Sequence, residues 1–240
     1  AVRVRDVIGA GRACTSWAAR ETPGRDPIRY LSSDPLRDAR GPRVPAPPKR
    51  YAGVVARNEF FGACMVRLSR IDPDREPMTW RFDRLAVAHW RFVGATGARP
   101  DEACRLRWEH IDWSGRVAVM PGKSTGTTGR SRRVPLTASV VRLLRAIRAL
   151  PGRHPDYVFT HARRDGGKDG DLAGVPWATR AIAHKFADWR DEFAAAGLAI
   201  QTDGPHALTL YQLRRDVGAD VLRVTGSHAE SAEVLGHSPE

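Results

Sequence analysis

The sequence predicts a mainly α-helical domain that carries one small antiparallel β-sheet. Over most of the 240 residues, apolar side chains recur at spacings of three and four, which is the periodicity of a helix with one buried face. Residues 116–121 and 132–136 have strand character instead, and a loop rich in glycine, serine and threonine joins them. Between residues 21 and 49, seven prolines indicate a linker.

This proline-rich stretch divides the chain into two predicted units. Residues 4–20 place Val7, Cys14 and Trp17 on one helical stripe, and a single helix of this kind needs a packing partner. We therefore interpret residues 1–49 as the last helix of a truncated helical domain together with the linker. Residues 50–240 are the predicted principal domain.

Two helices are predicted at the start of the principal domain. Asn58 and Asp83 are suitable caps for them, because both side chains can accept hydrogen bonds from the free amides of a first turn. The expected buried residues are Phe61, Met65 and Leu68 in the first helix, and Leu85, His89 and Phe92 in the second.

A short helix should follow at Pro100, with Ala103 and Leu106 on one face. Because a residue before proline is kept out of the helical conformation, Arg99 is expected just outside this helix, beside its free N–H groups. A guanidinium in that position can hold a phosphate or a carboxylate. The alternative is a surface ion pair with Asp101 or Glu102.

The remaining elements follow the two predicted strands. Thr137 is expected to cap one helix, a second should begin at Pro176, and Thr209 is expected to open a third. A last short helix is predicted over residues 230–235. The expected core residues are Val140, Leu144, Ile147 and Leu150 in the first of these helices, Ile182, Phe186, Trp189 and Phe193 in the second, and Leu213, Val217, Val221 and Val224 in the third.

Composition favours a polyanionic partner. Lysine and arginine number 39 against 27 acidic residues, which gives a formal net charge of +12. Such a balance favours salt-sensitive binding to nucleic acid, although a solvated arginine-rich surface is the alternative interpretation. The three cysteines form no CxxC pair and the histidines have no metal-ligand spacing, so we expect no metal, no disulfide framework and a reducing cytoplasm. No apolar stretch is long enough to predict a membrane span.

Three motifs together resemble the signature boxes of the tyrosine recombinase (phage integrase) catalytic domain. Residues 96–112, TGARPDEACRLRWEHID, are similar to the first box. The second box is matched by Leu210-Tyr211-x-Leu213-Arg214 and the third by Leu235-Gly236-His237-Ser238. The resemblance covers roughly residues 50–240 and implies that residues 1–49 end a core-binding domain.

The resemblance implies a role for each matched residue. Arg99 and Arg214 would grip the scissile DNA phosphate, and His237 would donate a hydrogen bond to it. Lys123, in the sequence PGKSTG, resembles the hairpin lysine that protonates the leaving 5′-oxygen, with Arg130, Arg132 and Lys185 as alternative donors. We assign Arg130, Arg132 and Arg133 to contacts with the DNA backbone, and a solvated strand edge is the competing interpretation.

Tyr211 departs from the family pattern, which usually has histidine at this position. Tyr211 and Arg214 are three residues apart on a predicted helix and therefore share a face, one step from the core stripe. A phenol can donate a hydrogen bond to a phosphoryl oxygen. With a reference pKa near 10, it exchanges protons poorly at neutral pH.

The resemblance implies a site-specific DNA recombinase that works without a cofactor as a homo-oligomer on duplex DNA, in the cytoplasm of a bacterium or phage-infected cell. Its nucleophilic tyrosine would lie about three helical turns past the third box, beyond Glu240. The tyrosines present are Tyr30, Tyr51, Tyr157 and Tyr211. We therefore expect that these 240 residues alone cannot form the 3′-phosphotyrosyl intermediate. The alternatives are a catalytically inactive, recombinase-derived DNA-binding protein and a type IB topoisomerase.

Overall fold

The computed structural model describes residues 53–120, 131–161 and 174–235. All of them belong to one compact unit, Arg50–Glu240. The predicted unit of residues 1–49 lies outside the described residues, and so do three candidate site residues, Lys123, Arg130 and His237.

Helices dominate the described part of the chain, as the sequence predicts. The α-helices are α1 Val54–Ser69, α2 Pro77–Thr96, α3 Pro100–Cys104, α4 Ala138–Arg148, α5 Thr179–Ala195, α6 Leu210–Thr225 and α7 His228–Leu235. The strands are β1 Ile111–Asp112, β2 Val117–Met120, β3 Arg132–Pro135, β4 Thr160–His161 and β5 Val175–Pro176. None of these helices is both long enough and apolar enough to cross a membrane.

Strands β1, β2 and β3 form one antiparallel sheet in that order, which confirms the predicted small sheet. Ala118 lies opposite Ile111 on one side and Val134 on the other. A second antiparallel pair, β4 with β5, was not predicted. Each of its strands has two residues, and alternation of polar and apolar side chains cannot be recognised over so short a length.

Helix α1 buries a different face from the one that the sequence pattern predicts. It begins at Val54, before Asn58, and buries Phe60, Cys64 and Leu68. Met65 remains 49% exposed, so the predicted stripe of Phe61 and Met65 is wrong by one position. Adjacent phenylalanines fit helical periodicity almost equally well. The contact of Phe60 with the ring of Phe186, at 4.5 Å between centroids, decides between them.

Helix α2 is the central element of the described unit. It starts at Pro77, so the prediction that Asp83 caps it is wrong, and Asp83 is instead buried in the helix with its carboxylate 2.6 Å from the amine of Lys185. The predicted core residues Leu85, His89 and Phe92 are all buried. Helix α2 packs most extensively against α6, which in turn packs against α7.

Two of the three later helices have the predicted caps. The Thr137 hydroxyl accepts from the Val140 amide at the start of α4, and the Thr209 hydroxyl accepts from the Gln212 amide at the start of α6. Helix α5 buries its four predicted residues, although it begins at Thr179 and Pro176 belongs to β5. The stripe predicted for α6 is partly wrong, because Val224 is 85% exposed.

Gly97 allows α2, α6 and α7 to meet closely. It ends α2 in a left-handed conformation, with φ of 64°. A Cβ atom at this position would lie 3.0 Å from Leu235 Cδ2 in α7 and 3.3 Å from Val217 Cγ1 in α6. Glycine is therefore required at position 97 both by the backbone conformation and by the proximity of its neighbours.

Replacement of Gly97 with alanine should destabilise the domain more than the same change at Gly226. Gly226 ends α6 with a similar φ of 68°, but no atom would lie within 4 Å of its added Cβ. Both variants should lose roughly 1–2 kcal/mol to left-handed strain, and Gly97→Ala should lose about 1–3 kcal/mol more through overpacking. Urea unfolding of the two variants measures the difference. Equal losses would show that α7 does not pack against Gly97 as described.

Candidate active site

Arg99 lies at the junction of α2 and α3. Its backbone is extended, with φ of −67° and ψ of 142°, and Pro100 begins α3, as the sequence predicts. The Arg99 amide donates to Glu102 Oε2 at 2.8 Å, and its guanidinium donates to Glu102 Oε1 at 2.6 Å. The side chain is 35% exposed, so the Arg99 guanidinium is paired with a carboxylate but still accessible to solvent.

Glu102 is the buried carboxylate around which the site is built. Its side chain is only 2% exposed. Burial alone would raise the pKa of this carboxyl, but hydrogen bonds from the Arg99 amide, the Arg132 guanidinium and the Arg99 guanidinium outweigh burial and lower the pKa below its ordinary value. Glu102 therefore carries a negative charge at neutral pH.

Arg132, the first residue of β3, contacts the same carboxylate. It donates from Nη2 to Glu102 Oε2 at 3.0 Å and to the Gly97 carbonyl at 3.2 Å, and from Nη1 to the Val234 carbonyl at 2.6 Å. Its side chain is 14% exposed. The sequence favours a DNA backbone contact for Arg132, with a solvated strand edge as the alternative; in the structure its guanidinium is largely buried and donates to protein acceptors.

The orientation of Arg132 could have been inferred from strand alternation. Side chains two residues apart on a strand lie on the same side of the sheet. Val134 is buried, so Arg132 must point to the same inner side, while Arg133 points outward and is exposed. Grouping Arg130, Arg132 and Arg133 as one basic cluster overlooked this alternation.

Arg214, in α6, is the third arginine near Glu102. It is only 6% exposed, and its guanidinium donates to the carbonyls of Gly97 and Leu235. Burial and the neighbouring charges of Arg99 and Arg132 lower the pKa of Arg214 to about 10. The expectation that Arg214 lies off the core stripe is wrong, because α2 and α7 both cover this face of α6.

Tyr211 lies one helical turn before Arg214 in α6. It is 55% exposed, in contrast to the buried Arg214. Tyr211 therefore lies at the solvent side of the arginine cluster.

The structure brings together Arg99, Arg132 and Arg214 around Glu102. The other alternative donor in the described residues, Lys185, pairs with Asp83 and stands over the Trp189 ring, with 5.7 Å from its amine to the ring centroid. Three guanidinium groups against one carboxylate leave a surplus of positive charge. Because burial weakens the screening of these charges, an anion that approaches the exposed part of Arg99 would be strongly favoured.

His89 supports the turn that carries Arg99. The ring is fully buried in α2, with Nε2 3.3 Å from the Pro100 carbonyl and 3.6 Å from Cys104 Sγ. Burial lowers the pKa of His89 from 6.5 to about 4, and the hydrogen bond to Pro100 opposes this only in part. His89 is therefore neutral at physiological pH, and it fixes α3 against α2 by packing and hydrogen bonding.

This depressed pKa predicts a pH dependence of stability. Below pH 6.5 the unfolded chain binds a proton at His89 that the folded chain does not bind, so the stabilisation is complete above pH 6.5 and is lost as the pH falls towards 4. Between pH 7 and pH 5 the wild type should lose about 2 kcal/mol relative to His89→Gln, which does not titrate. Urea unfolding across this range measures the loss. Parallel curves for the two proteins would contradict it.

Within the described ranges, no group of three or more His, Cys, Asp or Glu side chains is arranged to hold a metal ion.

The family model described as the phage integrase family matches residues 83–239, which run from within α2 to beyond α7 and include the whole arginine cluster. The chain belongs to the phage integrase family. No curated protein sequence matches the chain.

Solved structures of several integrases and a recombinase share the fold at low sequence identity. The Tn1549 transposon integrase in complex with transposon right end DNA has a TM-score of 0.61 at 14% identity, over 99% of this chain and 73% of that one. A lambda integrase dimer bound to a COC′ core site has a TM-score of 0.59 at 15% identity, over 98% and 74%. XerA recombinase has a TM-score of 0.53 at 18% identity, over 90% of this chain but only 60% of its own length.

These similarities show that the chain has the mainly helical fold of tyrosine recombinase catalytic domains, with small antiparallel sheets. Both the first-box residue Arg99 and the second-box residue Arg214 belong to the cluster around Glu102. Arg132 belongs to the same cluster. The family boxes do not include it, and the sequence predicts it only as a DNA backbone contact or as an alternative to Lys123.

Proposed function

We propose that this protein is a site-specific DNA recombinase that breaks and rejoins duplex DNA through a 3′-phosphotyrosyl intermediate. The observation that carries the proposal is the cluster of three arginines from α6, β3 and the α2–α3 turn around one buried carboxylate. The surplus of positive charge fits a phosphodiester, and membership of the phage integrase family supports DNA as the polyanion.

In the proposed reaction, Arg99 and Arg214 bind the non-bridging oxygens of the scissile phosphate. A tyrosine oxygen forms a bond to phosphorus while the bond to the 5′-oxygen breaks, which leaves a 3′-phosphotyrosine and a free 5′-hydroxyl. Negative charge increases on the phosphoryl oxygens along this path, so preorganised guanidiniums stabilise the transition state more than the ground state. We propose that the nucleophile lies beyond Glu240.

The remaining candidate residues have supporting roles in this proposal. Lys123 protonates the leaving 5′-oxygen, and His237 donates a hydrogen bond to the phosphate. Tyr211, at the solvent side of the cluster, donates a hydrogen bond to a phosphoryl oxygen and does not exchange a proton. Arg130 and the exposed Arg133 contact the DNA backbone.

We propose that the protein acts in the cytoplasm as a homo-oligomer on its DNA site and requires no cofactor. Two structures similar in fold contain lambda integrase assemblies, a dimer bound to a core site and a tetramer bound to a Holliday junction. In the proposed organisation, residues 1–49 comprise the last helix of a core-binding domain and the linker that follows it. Residues 50–240 belong to the catalytic domain.

The test uses the full-length protein and a nicked suicide duplex that carries its attachment site. The short fragment that bears the new 5′-hydroxyl is released at the nick and diffuses away, so the covalent protein–DNA complex should accumulate and migrate as a slow band in a denaturing gel. A duplex that is bound without a covalent band would reject the enzyme and favour the second candidate, a DNA-binding protein derived from a recombinase. Tyr211 in place of the usual histidine is the observation that supports this second candidate.

A further inference from the structure

Arg132 is the one arginine of the cluster to which the signature boxes give no role. Its guanidinium joins three separate parts of the chain. From β3, Nη2 donates to Glu102 Oε2 in α3 and to the Gly97 carbonyl at the end of α2, while Nη1 donates to the Val234 carbonyl in α7. A single side chain thus connects the sheet, the Arg99 turn and the last described helix.

The contact with α7 satisfies a group that the helix itself cannot satisfy. The last four carbonyls of an α-helix have no partner within the helix. Arg132 donates to the Val234 carbonyl and Arg214 donates to the Leu235 carbonyl, so two guanidiniums bind adjacent carbonyls at the end of α7. They also share the Gly97 carbonyl as an acceptor.

Side-chain packing fixes the same end of α7. The Leu235 methyl groups lie so close to Gly97 and Gly218 that a Cβ at either position would be within 3.0 Å or 2.7 Å of them. The carboxyl end of α7 is therefore held by hydrogen bonds from two arginines and by the contact of Leu235 with two glycines. Arg132 is the arginine that connects this end directly to Glu102.

Building on the proposed recombinase function, we propose that Arg132 is a positioning residue. It holds the Arg99–Glu102 turn and the carboxyl end of α7 in one geometry, so that Arg214, which binds the Leu235 carbonyl, lies beside Arg99.

This role depends on the shape of the guanidinium as well as on its charge. The rigid fork presents Nη1 to the Val234 carbonyl while Nη2 faces the Gly97 carbonyl and Glu102. The single ammonium of lysine is a compact charge and cannot occupy both nitrogen positions at once. Arg132→Lys should keep the charge balance of Glu102 but lose the connection to α7, whereas Arg132→Gln should lose both.

The first experiment measures native-state hydrogen exchange in the full-length protein. In Arg132→Gln and Arg132→Lys, the amides of α7 should exchange about tenfold faster, while those of α2 should be affected much less. Arg133→Gln is the matched control, because Arg133 is the next residue of β3 and is exposed, and it should leave α7 unchanged. Unchanged α7 exchange in both Arg132 variants would overturn the proposal.

The second experiment measures DNA binding and single-turnover cleavage at saturating suicide duplex. Since Arg132 contacts protein groups, Arg132→Gln should keep the wild-type slope of log affinity against log salt, whereas Arg133→Gln should reduce it by roughly 0.9. The cleavage rate of both Arg132 variants should fall about 100-fold with bound DNA unchanged. Full recovery of cleavage in Arg132→Lys, or a reduced salt slope in Arg132→Gln, would overturn the positioning role.

The two experiments separate this proposal from the proposed function. Cleavage by the wild type together with wild-type rates in both Arg132 variants would reject the positioning role alone. Absence of cleavage in the wild type would reject the recombinase function, and the hydrogen-exchange comparison, which needs no catalysis, would then decide whether Arg132 fixes α7.

Discussion

Replacing Arg99 with alanine should lower the rate of strand cleavage by the full-length protein by roughly 10³-fold or more, in the range found for cationic groups that stabilise phosphoryl transfer. The Arg99 side chain is the most accessible of the three guanidiniums and is held by Glu102. Its charge acts on the oxygens that become more negative in the transition state. The loss should therefore appear in the cleavage step at saturating DNA and only weakly in binding.

The fold should survive this change. Without the Arg99 side chain, Glu102 still accepts hydrogen bonds from the Arg99 backbone amide and from Arg132, so a loss of about 1 kcal/mol is expected. Suicide-duplex cleavage and urea unfolding of the same preparation measure the two effects separately.

Arg105→Ala is a suitable control for Arg99→Ala. Arg105 forms a similar partly exposed ion pair with Asp101, at 2.6 Å, immediately after α3. Its ion pair is with Asp101, whereas Arg99 and Arg132 bind the Glu102 carboxylate, so the variant should cleave at close to the wild-type rate. Equal losses of cleavage in the two variants would show that the helix around Asp101 matters and that Arg99 has no specific role.

Replacing Arg214 with alanine should abolish cleavage and also destabilise the domain, by roughly 2–3 kcal/mol. This differs from the result expected if Arg214 lay off the core stripe. The guanidinium is buried and donates to the Gly97 and Leu235 carbonyls. Its loss leaves the Leu235 carbonyl without this donor, while relief of the repulsion from Arg99 and Arg132 offsets part of the cost.

The comparison that tests this account is between the two alanine variants. Urea unfolding should place Arg214→Ala below Arg99→Ala in stability, because Arg214 is 6% exposed as a residue whereas the Arg99 side chain is 35% exposed. Arg214→Lys keeps the charge and should recover part of the stability, but one ammonium cannot reproduce two guanidinium hydrogen bonds. If Arg214→Ala were as stable as Arg99→Ala, the buried contacts of Arg214 would not support the fold.

Several elements of the fold were predictable because local chemistry determines them. Pro100 can begin a helix but forces the residue before it into extended conformation, and this fixes Arg99 at the helix start. The hydroxyls of Thr137 and Thr209 cap their helices through bonds to amides three residues ahead. The family boxes were recognisable for a related reason, since each is a short local pattern.

Other elements depended on contacts between distant parts of the chain. Helical spacing allowed either Phe60 or Phe61 to face inward in α1, and contact with Phe186 of α5 decided this. Asp83 has the chemistry of a cap but is buried within α2, where Lys185 balances its charge. In each case the local sequence allows two roles for the residue. A contact with a residue more than 100 positions later in the chain decides which role it takes.

The sequence by itself determined the helical class, the small sheet, the Arg99 turn and the resemblance that pointed to Arg99 and Arg214. Only the tertiary structure decided that Arg132 belongs with them and that Arg214 is buried. Both facts depend on the carboxyl end of α7 reaching the Gly97 turn, more than 100 residues away in the chain. No local sequence pattern predicts this contact, because it depends on the packing of α2, α6 and α7 around Gly97, Gly218 and Leu235.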